Sequence, residues 1–121
     1  VAKPPTGLGA VLAPAARRDI KSILGWSEER FGKNAAVRYE ALLIQAVRDI
    51  EADAARSGVV QRSYLPAGVF LYHLAFSRNR VAGETVRQPR HFLAFRVRAA
   101  HLEILRVLHD SRDLARHLTP E

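Results

Sequence analysis

The chain contains no cysteine, so disulfides and thiol chemistry are excluded and a cytoplasmic setting is the expectation. No apolar run comes near the roughly 18 residues that would suggest a membrane span. No secretory leader is visible behind Val1-Ala-Lys-Pro-Pro5, and there is no low-complexity tract. Glycine-rich phosphate loops are missing, since Gly7-Leu-Gly9 is only a two-glycine fragment. Metal-ligand spacing is missing as well. His109, Asp110, Asp113 and His117 lie close in sequence but alternate with Arg112 and Arg116, whose charges oppose a bound cation. Neither a metal nor a cofactor is therefore expected. Established DNA-binding signatures are also absent.

What remains is a 121-residue, 48% apolar chain, which fits one domain over residues 1–121 with 1–7 as a flexible lead. Its formal net charge of +7 is unevenly spread. Residues 1–61 hold nine Lys/Arg against seven Asp/Glu; residues 62–121 hold ten against five, and all ten are arginine. The rigid guanidinium fork suits bidentate pairing with carboxylate or phosphate, so an anionic partner is expected, either an acidic protein segment or, secondarily, nucleic acid.

Leu8 to Leu12 reads as a short edge strand, and Pro14 as a helix start. Ala16, Ile20, Ile23, Leu24, Ser27 and Phe31 then recur at helical spacing, up to a stop at Gly32. Asn34 is the expected N-cap of a second helix. Its apolar row is Tyr39, Leu43, Ala46, Ile50 and Ala54, and Gly58 is its expected end. Arg48 and Glu51 lie one turn apart and can pair. Val69 to Phe76 is nearly continuous in apolar character and reads as a central strand. Residues 77–89 read as a loop carrying Arg78, Arg80 and Arg87, with Arg90 beyond it. Residues 91–97 and 101–108 form a hairpin across Arg98-Ala-Ala100, without the usual glycine. Asp110 or Ser111 is placed to cap a last short helix through His117. The fold class is α+β, in the order β-α-α-β-β-β with a short C-terminal helix, the helical hairpin lying on a small antiparallel sheet.

Strict alternation in the last strand puts Leu102, Ile104, Arg106 and Leu108 on one face, so Arg106 interrupts an apolar row. A half-buried guanidinium needs a partner, and Asp110 and Asp113 are nearest in sequence. His109, where the strand ends, has the chemistry of a general acid or base. Tyr64, Tyr72, His73, His91 and His101 are the available second groups, with Tyr72 read as core. Trp26, Phe31 and Tyr39 fall near the helical turn, where a partner could bury a partly exposed aromatic edge.

Several stretches together resemble the ParE branch of the RelE/ParE toxins of bacterial type II toxin–antitoxin systems. They are Leu12-Ala-Pro-Ala-Ala-Arg-Arg-Asp-Ile20 with Ile23 and Trp26; Arg30-Phe-Gly32 followed by Tyr39; Leu65-Pro-Ala-Gly68; and Glu103-Ile-Leu-Arg-Val-Leu-His-Asp-Ser-Arg-Asp113 with Leu118. The last is the most specific, and together they span roughly residues 8–118. The resemblance implies a growth-arresting toxin with a helical hairpin on a small sheet. It would be neutralised by a cognate antitoxin, a small acidic amphipathic chain, and linked to plasmid stabilisation. ParE-type members poison DNA gyrase without catalysis. RelE-type members are metal-independent ribonucleases that cut messenger RNA on the ribosome. On the gyrase reading no residue is catalytic, and Trp26, Arg96, Arg106, His109, Arg112, Asp113 and Arg116 are the expected partner-binding residues. On the ribonuclease reading His109, Arg106 and Arg96 would do the chemistry; a third reading is a degenerate, non-toxic basic binding protein. The chain has no tyrosine after Tyr72, which favours the ParE side. It also departs from the family pattern at Phe70 and in its long segment 78–90.

Overall fold

The computed structural model of the chain describes residues 8–111. Strand β1 (Gly9–Leu12) leads into α1 (Pro14–Phe31), whose first turn is set by Pro14. The helix stops at Gly32, where φ is 93°, and the Gly32 N–H donates to the Glu28 carbonyl. A positive φ favours glycine, which lets α2 (Lys33–Ala52) start at once in an antiparallel hairpin. Gly32 thus serves both helices. Asn34, expected as the cap of α2, lies inside its first turn, and no side chain caps that end.

After α2 come β2 (Val59–Val60), β3 (Phe70–His73), a 3-10 helix (Leu74–Arg80), β4 (His91–Arg98) and β5 (His101–His109). They form one five-stranded sheet in the order β1-β5-β4-β3-β2, antiparallel except for the parallel β1–β5 pair. The helical hairpin covers one face. Leu42, Leu43, Ala46 and Ile50 of α2 pack there with Tyr72, Leu93, Phe95, Leu102, Ile104 and Val107. Each such large side chain removed from water contributes about 1.5–3 kcal/mol before chain entropy is counted. On the opposite face Leu71 and Ala94 pack with Leu65 and Val69 from the β2–β3 connection.

Several boundaries differ from the sequence expectation. Helix α2 ends at Ala52 rather than at Gly58. Gly58 instead turns the chain into β2 at φ 103°, under the Phe76 ring. The apolar run 69–76 is only half strand: at His73 the ring Nδ1 accepts the Ala75 N–H at 3.0 Å, and Leu74 onward coils into the 3-10 helix, which takes up the first part of the expected loop. Phe31, assigned to the core stripe, is 66% exposed. The Glu51 carboxylate accepts the Ala10 N–H at 2.8 Å and so ties β1 to α2.

The alternation expected in the last strand is broken by a bulge. Phe95 faces Ile104 and Ala94 faces Arg106, leaving Leu105 without a partner across the ladder. The extra residue reverses the sidedness, so Val107 joins Leu102 and Ile104 in the helix-side core. Asp110 and Ser111 form a turn after β5. The expected final helix through His117, the flexible lead 1–7, and Arg112, Asp113 and Arg116 lie outside the described residues.

Candidate functional site

The bulge and the shortness of β1 decide where Arg106 goes. β1 pairs with β5 only as far as Ile104. Beyond that point Asp19 of α1 accepts the Val107 N–H at 2.9 Å. The same carboxylate takes Arg106 Nε at 2.8 Å and Nη2 at 3.1 Å, a bidentate fork. Arg106 is thus paired across 87 positions of sequence. Asp110, one of the two partners suggested by proximity in the chain, is engaged elsewhere.

At the end of the sheet where β4 begins and β5 ends, side chains from four elements converge. The ladder sets His91 directly opposite His109, and His73 of β3 opposite Phe92. The His91 and His109 rings meet edge to face at 5.4 Å. Tyr39 of α2 shares a 2.6 Å hydrogen bond with His91 Nδ1, and its hydroxyl accepts the Arg90 N–H at 3.1 Å. Burial pushes the Tyr39 pKa up to about 12, against the lowering effect of the Arg90 N–H, so the phenol is neutral across the physiological range.

Asp110 closes the cluster. His73 Nδ1 is occupied as an acceptor by the Ala75 N–H, so the ring proton sits on Nε2 and donates to Asp110 Oδ2 at 3.1 Å. Arg90 Nη2 lies 2.9 Å from Asp110 Oδ1. That contact is an ion pair without hydrogen-bond alignment: Oδ1 is buried and accepts no aligned donor. Burial raises the Asp110 pKa, but the His73 hydrogen bond and the Arg90 charge outweigh it, and the net shift is downward. His109 Nδ1 accepts the Ser111 N–H at 3.2 Å, which places the proton of its neutral form on Nε2.

This end of the sheet forms one side of an open groove of 870 Å³ between the helical hairpin and residues 84–91. Ile23, Trp26 and Phe31 form an apolar wall, and Arg38, Arg87 and Arg90 stand among the polar residues. Trp26 is 48% exposed and meets Phe31 edge to face at 5.6 Å, with the Arg30 guanidinium 5.5 Å from its ring centre.

The structure therefore gathers only some of the residues singled out from sequence. Trp26 and His109 line the groove, and Arg106 stands behind it on Asp19. Arg96 does not join them. It pairs across the hairpin with Glu103 at 2.7 Å, five residues along β4 from His91, or roughly 16 Å at the rise of an extended strand. Of the second groups considered, His73 and His91 belong to the cluster, whereas His101 is exposed at the far end of the hairpin. Tyr72 is core, as expected, with its hydroxyl 2.7 Å from Ser77 Oγ. Sequence reasoning missed Arg90 and Asp110 as the polar bracket of the cluster; their signal is that each flanks a strand end carrying a histidine. Among the described residues no group of three His, Asp or Glu side chains is placed to hold a metal ion. None of the described helices is long and apolar enough to cross a membrane.

The family model described as the ParE toxin of type II toxin-antitoxin system, parDE, matches residues 10–114. The chain belongs to the ParE toxin family. Among solved structures, a chain of the chromosomal ParDE TA system from P. aeruginosa aligns with a TM-score of 0.65. The alignment covers 85% of this toxin and 96% of that chain at 16% identity, a likeness of fold. No curated protein matches the sequence. Family and fold agree with the geometry above: the match begins at β1 and runs past the end of β5, so it includes every element of the sheet and the hairpin that lies on it.

Proposed function

We propose that this ParE-family toxin arrests bacterial growth by binding and poisoning DNA gyrase, without catalysis of its own, and that a small acidic amphipathic antitoxin neutralises it. Family membership supports the toxin role. The observation that carries the choice of a binding mechanism is the engagement of the strand arginines. Cleaving RNA through its 2′-hydroxyl needs a base, an acid and phosphate-stabilising charge at one place. Here neither strand arginine serves His109: Arg106 is forked onto Asp19, and Arg96 is bound to Glu103 at the opposite end of the hairpin. The arginines that do share a groove with His109, Arg38, Arg87 and Arg90, are read as binding groups. The chain's excess of positive charge suits an acidic antitoxin.

The test is a supercoiling assay with purified toxin and gyrase, run beside a translation reaction in which message length is followed. Loss of supercoiling with intact message is expected. Message cleavage that disappears in His109→Ala, with supercoiling untouched, would replace this reading by the ribonuclease one.

A further inference from the structure

The four arginines between residues 78 and 90 are not accounted for by the gyrase reading, and they divide sharply in the structure. Arg80 donates to Asp49 at 2.9 Å and is part of the scaffold. Arg78 Nη1 donates to the carbonyl of Arg87 at 3.0 Å, so one arginine braces the backbone of another. Arg90 is braced on both sides: its N–H donates to the Tyr39 hydroxyl, and its carbonyl accepts the Asp110 N–H at 2.8 Å. Arg87 and Arg90 thus stand on the groove wall from a held backbone. Among the described residues the Arg87 guanidinium has no carboxylate partner. Arg38 approaches from α2 and is tied at 3.2 Å to Glu84, whose side chain is 79% exposed.

In the same groove, Trp26 and Phe31 leave much of their ring area in water. Among the described residues the two acidic side chains that line the space are already neutralised, Asp19 by Arg106 and Glu84 by Arg38, and Tyr39 adds no negative charge. The volume falls within the range of about 300–1,000 Å³ seen for small-molecule sites. Guanidinium groups and exposed aromatic rings lining one groove match a ligand with a phosphate beside a planar ring. Arginine takes phosphate oxygens in a fork, and an indole stacks on any base.

We propose that this groove is a nucleotide site, with the base against Trp26 and the phosphate held by Arg87, beside the Arg38–Glu84 pair. The proposal is independent of gyrase. A free nucleotide and the phosphorylated end of a single strand share this chemistry.

Trp26 is the only tryptophan of the chain, so its fluorescence reports directly on the site. AMP and GMP titrated into the full chain should quench it saturably. Inorganic phosphate should reverse the quenching without causing any. Arg87→Ala should weaken nucleotide binding by about tenfold, as expected for a lost charged hydrogen bond, with an unchanged melting temperature because the side chain is exposed. Calorimetry of Trp26→Ala should show weakened binding that no longer depends on the base. A 5′-phosphorylated tetranucleotide that binds more tightly than AMP would identify a strand end as the ligand; equal or weaker binding would identify the free nucleotide. The absence of saturable quenching by AMP, GMP and the tetranucleotide up to about 1 mM, or equal affinity in Arg87→Ala, would overturn the site.

Discussion

Two aspartates, Asp49 and Asp110, show how the same chemistry serves opposite purposes in the two halves of this toxin. Asp49 sits on α2 at 3% exposure and is surrounded by donors. Ser77 Oγ reaches it at 2.6 Å, Gln45 Nε2 and Arg80 Nε each at 2.9 Å, and Arg56 Nη1 lies 3.5 Å away. Because the Ser77 hydroxyl donates to the carboxylate, Tyr72 must be the donor in its own bond to Ser77, and the chain of bonds runs outward from the core. Asp110, just past the end of β5, accepts a hydrogen bond from His73 and pairs with Arg90, with His109 Nδ1 3.7 Å away, and its Oδ1 accepts no aligned donor. In the first arrangement both carboxylate oxygens are bonded and clamp the 3-10 helix to α2, although Nε of the neighbouring Arg56 is buried without a hydrogen-bond partner. The second is under-filled and holds together strand ends that border an open space. A fully bonded carboxylate marks scaffold here, and an incompletely bonded one marks the strand ends beside the groove.

The sharpest way to break this contrast is Asp49→Ala. Removing the carboxylate strands Ser77 and Gln45 and leaves two guanidinium groups facing one another. Arg80 is half exposed and can rehydrate, so the loss should fall at the low end for a broken buried pair, about 3 kcal/mol, read from urea unfolding. Asp110→Ala should cost less than half as much. Next in size is Gly58→Ala. A Cβ there would come 2.7 Å from the Phe76 ring on the 3-10 helix, at a backbone φ of 103°. A loss of about 2 kcal/mol is expected from strain and overlap together. Adding Phe76→Ala, whose ring is 54% exposed, should recover the overlap part and leave the backbone part. A double variant no more stable than Gly58→Ala would remove Phe76 from the explanation.

Acid should act on both ends. Burial raises each carboxyl, but hydrogen bonds from Ser77, Gln45 and Arg80 at Asp49, and from His73 at Asp110, leave both below the ordinary value of 3.8. The folded state therefore binds these protons less readily than the unfolded one. Their contribution is complete above pH 3.8 and is lost as pH falls below it through the native values. Unfolding midpoints measured down this range should show that Asp49→Asn removes more of the acid sensitivity than Asp110→Asn. Equal effects would mean that saturation of the carboxylate is not what separates the two regions.

The parts of the fold that could be read from sequence are those set by neighbours along the chain. Pro14 and Gly32 mark the ends of α1 because each acts through its own φ, and the row Leu43, Ala46, Ile50 and Ala54 is visible because α2 repeats at one period. Leu74-Ala-Phe76 was misassigned because a short apolar run looks the same in a buried strand and in a helical turn. What decides it is the bond from Ala75 N–H to the His73 ring. Arg106 could not be matched to Asp19 from sequence, because the match depends on the length of β1 and on the bulge at Leu105. Of the candidate site, the histidine-bearing strand ends were visible, but their meeting with Tyr39 depends on how α2 crosses the sheet. Asp49 carries no periodic signal: it is a polar residue beside an apolar row, and its importance appears only when Ser77 and Arg80 fold over it.

The smallest expected effect tests the open end of the comparison directly. Tyr39→Phe keeps the ring and its edge contact with His91 but removes the hydroxyl that links His91 to the Arg90 N–H. Because the cluster borders a groove, water can replace part of what is lost, and the cost should be about 1 kcal/mol, near the net worth of one hydrogen bond. The larger consequence should be local. With the Arg90 N–H released from α2, amide hydrogen exchange at Arg90 should rise while the Asp49 network and the 3-10 helix exchange as before. If exchange rises equally in both regions, the toxin is one cooperative unit and the saturated end does not stand apart from the open one. If only Arg90 and its neighbours respond, the groove wall can adjust without loosening the core.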